Sequence, residues 1–179
     1  SLLKLMNPQK LRVTEFITPS IKTQAKFHTI MKKWYKIFNE GPVSVHSPEE
    51  MTALGEQIGA LLEGGEILAL VGNLGAGKTH LTQGIMKGLG SSHGAVSPTF
   101  SLVHEHRDGR HPASHFDFYR LKHEEELSQI DWEDYLSRGD ILIVEWADMF
   151  PDALPHTTEW LLIEHKGPED RLVTLHQAN

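Results

Sequence analysis

From residue 43 onward the apolar positions change period several times, and each change predicts a new element. Residues 43–45 read as a short strand. Ser47 and Pro48, with Glu50 three beyond the serine, form the opening signature of a helix. Met51, Leu54, Ile58, Leu61 and Leu62 then recur at three- and four-residue spacing until Gly64 and Gly65 end the pattern. "EILALVG" is a continuous apolar run, as in a strand buried on both faces. From Lys78 the period returns to that of a helix, with Leu81, Ile85, Met86 and Leu89 on one stripe and Gly90 as the stop. "SLVHEH" alternates like a strand, "HFDF" is a short one, and "DILIV" is a second continuous apolar run ending at Glu145. "TEWLLIEH" and "RLVTLH" predict a late antiparallel pair turning at Gly167-Pro168. Strands alternating with helices predict an α/β fold, a three-layer sandwich with a mostly parallel sheet, helices on both faces and antiparallel additions.

Between the first buried strand and the second helix stands "GNLGAGKT", which fits G-x-x-x-x-G-K-[ST] with Gly72, Gly77, Lys78 and Thr79 at the fixed positions. The order strand, loop, helix is the one this phosphate-binding loop requires, so the fold expected is that of a P-loop NTPase. Glycines let the backbone curl with its N–H groups inward, and the helix N-terminus adds partial positive charge. Asn73, Leu74, Gly75, Ala76, Gly77, Lys78, Thr79 and His80 are therefore the expected nucleotide-binding residues. Lys78 is expected to span the β- and γ-phosphates and Thr79 to ligate Mg²⁺. Glu145, at the carboxyl end of the second apolar run, is where an α/β sheet collects ligands, and it is the candidate to hold the metal shell or orient the attacking water. Asp117 stands between aromatics in the short strand of "HFDFYRL".

Composition narrows the class. With 179 residues and 39% hydrophobic content, the chain suits one principal domain. No apolar run approaches the ~20 residues of a membrane span, and no secretory leader is apparent. The absence of cysteine excludes disulfides, thiolate nucleophiles and Cys-ligated zinc, and it suits a reducing, cytoplasmic setting. The net charge of -7 is uneven: residues 1–40 hold eight Lys or Arg against Glu15 and Glu40, and the sign flips at Gly41-Pro42. Residues 1–40 are accordingly expected to be a basic extension and residues 41–179 the working P-loop domain. Ile21, Ala25, Ile30, Trp34 and Phe38 form a stripe that predicts an amphipathic helix in the extension, packing on its own domain or on a partner, with nucleic-acid phosphates or an anionic membrane surface as the alternatives.

The segments "GNLGAGKTHLTQGIMKGLG", "VSPTFSLVHEH", "HFDFYRL", "EELSQIDWEDYL" and "ILIVEWAD", in this order and at these gaps, closely resemble the bacterial TsaE (YjeE) family over about residues 45 to 165. That resemblance implies a P-loop ATPase, using ATP and Mg²⁺, needed to make threonylcarbamoyladenosine at position 37 of tRNA. It implies action on the TsaD and TsaB pair, with tRNA engaged indirectly through that complex. By the same likeness Thr99 lies in a switch-like loop and is a catalytic candidate with Lys78, Asp117 and Glu145. The metal candidates are Thr79, Asp117 and Glu145, and Glu145 with Trp146 resembles the family's "EW" box. The histidines of "HEHRDGRHPASHFD" and the basic extension depart from the family pattern.

Competing classes leave fewer traces. No [NT]-K-x-D box for reading guanine occurs. A P-loop small-molecule or nucleoside kinase is the alternative function, but such kinases usually add an Arg-rich lid, and the last forty residues carry only Lys166 and Arg171. Arg120 is the one candidate for an arginine finger in cis. His104, His106, His111 and His115 suggest a metal site, but "RDGR" reads as a turn that separates them, so exposed strand and hairpin histidines are expected instead.

Overall fold

The computed structural model describes residues 32–92 and 102–177. Within them seven strands form one mixed sheet in the order β1-β7-β6-β2-β5-β4-β3. They are β1 Val43–Val45, β2 Ile67–Val71, β3 Val103–His106, β4 Ala113–Asp117, β5 Ile141–Glu145, β6 Glu159–His165 and β7 Arg171–His176. The middle strands β6, β2, β5 and β4 are parallel. β3 pairs antiparallel with β4 at one edge, and β7 and β1 add antiparallel strands at the other. The continuous apolar runs are the strands buried at every position, β2 and β5, which lie side by side in the centre. Helices on both faces cover strands of this kind, which is why they lack alternation.

Helices α1 (Pro48–Leu61) and α2 (Lys78–Gly88) lie together on one face. At the start of α1 the Ser47 hydroxyl accepts from the Glu50 amide at 3.1 Å, with Pro48 in the first helical position. The Glu50 carboxylate reaches back to the amide of His46 at 2.7 Å, one residue earlier than a reciprocal capping box on Ser47 would have it. Met51, Leu54 and Ile58 of α1 join Leu81, Ile85 and Met86 of α2 over Leu68, Leu70, Ile141 and Ile143.

The apolar stripes account for that contact, but glycines set its distance. Gly55 and Gly59 on α1, and Gly84 and Gly88 on α2, are four residues apart and so share a helix face. A Cβ on Gly84 would lie 2.0 Å from the carbonyl oxygen of Thr52, and one on Gly55 2.3 Å from that of Leu81. The two backbones touch directly. On the other face of the sheet, Phe116 of β4 and Phe118 meet Trp132 and Tyr135 of α3 (Trp132–Ser137) edge to face, with centroids 5.0 to 5.4 Å apart.

Among the described residues, the stretch from Lys32 to Gly41 belongs to the same packed unit as the strands and helices that follow. Residues 33–38 form a short 3-10 helix, in which Trp34 is fully buried in the main core and Tyr35 is buried beside it. The Tyr35 hydroxyl donates to Glu159 at 2.7 Å, and Lys32 pairs with the same carboxylate. Burying an indole and a phenol outweighs the local basic charge, which stays on Lys33 and Lys36 outside the core. The rest of the amphipathic stripe, including Ile21, Ala25 and Ile30, falls outside the described residues. No described helix is long and apolar enough to cross a membrane.

Candidate functional site

The loop between β2 and α2 lies at the carboxyl edge of the parallel strands, where β6 and β5 diverge on either side of β2. Gly75 and Gly77 take φ of 74° and 106°, backbone that side chains rarely adopt, and Ala76 N–H closes the turn on Asn73 at 3.0 Å. Leu74 stands exposed at the tip.

Lys78 opens α2 and is buried at 5% exposure. Its ammonium donates to the carbonyls of Gly72 and of Asn73, the latter at 3.1 Å, and lies 3.7 Å from the centre of the Trp146 ring. Burial lowers its pKa to about 8, against the opposing pull of Glu145, Asp148 and Asp117. Trp146 holds a left-handed backbone at φ 57°, uncommon for a bulky residue, and Tyr119 packs on its ring at 4.7 Å. Tyr119, Trp146 and Lys78 thus form one stack at the mouth of the loop.

Glu145 is the hub. Its Oε2 accepts from the Thr79 hydroxyl at 3.1 Å, and its Oε1 from Thr82 at 3.0 Å and from His115 Nε2 at 2.9 Å. Burial works to raise its pKa, but the donors from His115, Thr82 and Thr79 outweigh it and hold the carboxyl below its ordinary range. Asp117 is the register partner of Glu145 on the neighbouring strand. Its oxygens accept from the Tyr119 amide at 3.1 Å and from Arg120 Nε at 3.4 Å, so it also caps the short turn that carries both residues. Arg120 is exposed and turned toward Asp117.

The structure therefore gathers Lys78, Thr79, Glu145 and Asp117 at one place. Thr99 lies outside the described residues. The sequence reading missed Thr82 and His115. Alternation already carried the signal for His115, since it precedes Asp117 by two on the same strand and must share its face. It also misjudged two of the histidines: His115 is 1% exposed because β4 is an inner strand and its odd positions face the helices, and His106, 7% exposed on the edge strand β3, is the register partner of the buried Ala113. Among the described residues no group of three or more His, Asp or Glu is gathered to hold a metal.

Beside the loop, a cavity of about 210 Å³ opens between the start of α1 and the β6–β7 hairpin. Met51, Gly77, His80, Pro168 and Arg171 are among its walls. Arg171 also ties the hairpin to the loop by donating to the Gly75 carbonyl at 3.2 Å.

Residues 45–173 match the family model described as threonylcarbamoyl adenosine biosynthesis protein TsaE. The chain is 35% identical to the tRNA threonylcarbamoyladenosine biosynthesis protein TsaE of Bacillus subtilis over 128 residues, 72% of this chain and 80% of that protein. It is 42% identical to the protein of the same name from a Nostoc species over 106 residues, 58% and 65% of the two chains. The crystal structure of Bacillus subtilis YdiB superposes with a TM-score of 0.63 at 30% identity, covering 77% of this chain and 85% of that one. With the loop, its acid and this extent of likeness in agreement, the chain belongs to the TsaE family of tRNA threonylcarbamoyladenosine biosynthesis proteins.

Proposed function

We propose that the chain binds ATP with Mg²⁺ and hydrolyses it slowly, as the nucleotide-driven component that acts on the TsaD and TsaB pair in the cytoplasm. The observation that carries this reading is the Thr79–Glu145 contact of 3.1 Å beneath a glycine-shaped loop. It sets a hydroxyl and a carboxylate side by side where the end of a triphosphate would lie. Both are hard oxygen donors of the kind Mg²⁺ takes, with Asp117 on the adjacent strand as a third oxygen source within reach of the same mouth. When bound, Mg²⁺ would supply charge neutralisation on the β- and γ-oxygens.

The chain's own groups supply the rest. The loop amides and the start of α2 hold phosphate oxygens, and the Lys78 ammonium exchanges its carbonyl partners for them. Glu145, kept ionised by its donors, orients the metal shell or the attacking water. Because Lys78 and Thr79 belong to the β/γ end, the nucleoside leaves the loop on the His80 side, toward the cavity by Met51 and the hairpin. Arg171 is engaged with the hairpin's own carbonyls and Gly75, an arrangement unlike a mobile kinase lid.

Calorimetric titration of ATP with Mg²⁺ into wild type and Lys78→Ala tests the reading. Affinity or turnover should fall at least tenfold in a variant whose melting curve stays cooperative. Equal affinity and turnover in the folded variant would remove the assignment. Phosphate should appear free: stoichiometric phosphorylation of one acceptor, from a panel of nucleosides and small hydroxyl compounds, would make the chain a kinase instead.

A further inference from the structure

We infer that His115 is a positioning residue for this chemistry, holding the Glu145 carboxylate in the one rotation that presents Oε2 to Thr79 and the mouth of the loop. The inference rests on the ATPase reading above and assigns it a group outside the loop and its acid.

The hydrogen-bond count around Glu145 makes the case. Oε2 receives the single proton of Thr79 at 3.1 Å. Oε1 lies 3.0 Å from the Thr82 hydroxyl, but that hydroxyl is also 3.0 Å from the carbonyl of Lys78, and one proton serves one acceptor at a time. His115 Nε2, at 2.9 Å from Oε1, has no second acceptor competing for it among the described residues. It is the steady donor on the inner oxygen.

The imidazole is itself fixed. It is 1% exposed on an inner strand, where His115 registers with Ile143, two residues before Glu145 on the next strand. Nδ1 has no partner among the described residues. The tautomer with its proton on Nε2 satisfies the pair, whereas a proton on Nδ1 would leave two lone pairs facing each other and bury an unpaired N–H. A donor carried on a strand holds its acceptor more tightly than one on a loop. Without it, the carboxylate is free to turn about its last bond and Oε2 loses its fixed aim.

The test uses the full chain with His115→Phe, His115→Asn and His115→Gln. A glutamine amide reaches the place of Nε2, and an asparagine amide stops near that of Nδ1. Phe and Asn should lower kcat roughly 10- to 100-fold, the usual cost of losing a group that orients a metal or catalytic carboxylate. ATP affinity should stay within about threefold, and Gln should recover most of the rate. Without nucleotide, ¹⁵N spectra should show the His115 proton on Nε2 and a shifted resonance in Glu145→Gln.

Wild-type kcat in the Phe and Asn variants, equal loss in Gln and Phe, or a proton on Nδ1 would each overturn the assignment. Should the Phe variant fail to fold, the contrast between Asn and Gln decides. A wild-type chain that neither binds nor hydrolyses ATP would instead sink the ATPase reading, and the spectra would still test the His115–Glu145 pair separately.

Discussion

Gly77 shows how one residue serves both the backbone and the ligand. Its φ of 106° lies where side chains are strained, and a Cβ there would come within 3.3 Å of the Met51 methyl. Gly77→Ala should therefore cost about 1–3 kcal/mol in stability from the backbone alone. It should also weaken ATP binding, because the loop amides lose their common aim. Thermal melts and calorimetry on the same preparation check both, and an unchanged affinity would show that the amides are not the phosphate cradle. Trp146 bears a comparable backbone conformation without glycine's freedom, and its ring is in contact with both Lys78 and Tyr119. Strain of that kind persists where the surroundings over-determine it, here at the end of a buried strand.

At the level of elements, the contact between α1 and α2 makes the loop helix dependent on its neighbour. Gly84→Ala would place a methyl 2.0 Å from a backbone oxygen, which no rotamer relieves, so the helices must separate. Overpacking of this sort costs about 1–3 kcal/mol or more. Because α2 begins at Lys78, ATP affinity should fall along with the melting temperature, whereas a distant exposed change such as Glu133→Ala should move neither. Edge strand β3 is held differently. Glu105 accepts from Tyr135 at 2.8 Å and from Arg138 at 2.8 Å, with Arg107 at 3.1 Å. The Tyr135 hydroxyl and then Arg107 lower its pKa to about 2. A carboxylate depressed on folding adds stability above its unfolded pKa of about 4.5 and loses it as pH falls toward 2. Acid melts should therefore show a loss between those values that Glu105→Gln flattens, modest in size because the group is partly exposed. A variant with the same acid slope as wild type would remove the staple from the account.

For the whole molecule, the question is how the site is driven. Arg120, the one cis candidate for a finger, is turned toward Asp117, and an arginine finger supplied in trans is worth about 10³ to 10⁵ in rate. The isolated chain should hydrolyse slowly and accelerate when the TsaD and TsaB pair is added. Coupling is reciprocal, so ATP should tighten the ternary complex, and Glu145→Gln, binding without turnover, should release its partners more slowly. Phosphate release with and without partners, alongside partner dissociation rates, measures both halves. Full speed in isolation with no response to the pair would refute regulation by partners while leaving the nucleotide site standing.

By itself the sequence determined the elements whose cause is local. The apolar run of β2 and that of β5 could be read because both faces of each strand are buried, and the helix starts because Ser47, Pro48 and the loop glycines act on their own neighbours. The loop, Lys78, Thr79 and Glu145 were legible for the same reason: their chemistry depends on spacing along the chain and on strand ends. What depends on chain segments far apart was not. Trp34 and Tyr35 look like part of a basic tail until the main core covers the indole and Glu159 of β6 meets the Tyr35 hydroxyl, and the four glycines of α1 and α2 look unremarkable until two backbones touch. His115 looked like one of several exposed histidines. Alternation in its own segment puts it only on the face of Asp117; the parallel pairing of β4 with β5 buries it beside Glu145, because a side chain 30 residues away in sequence becomes a neighbour through sheet register.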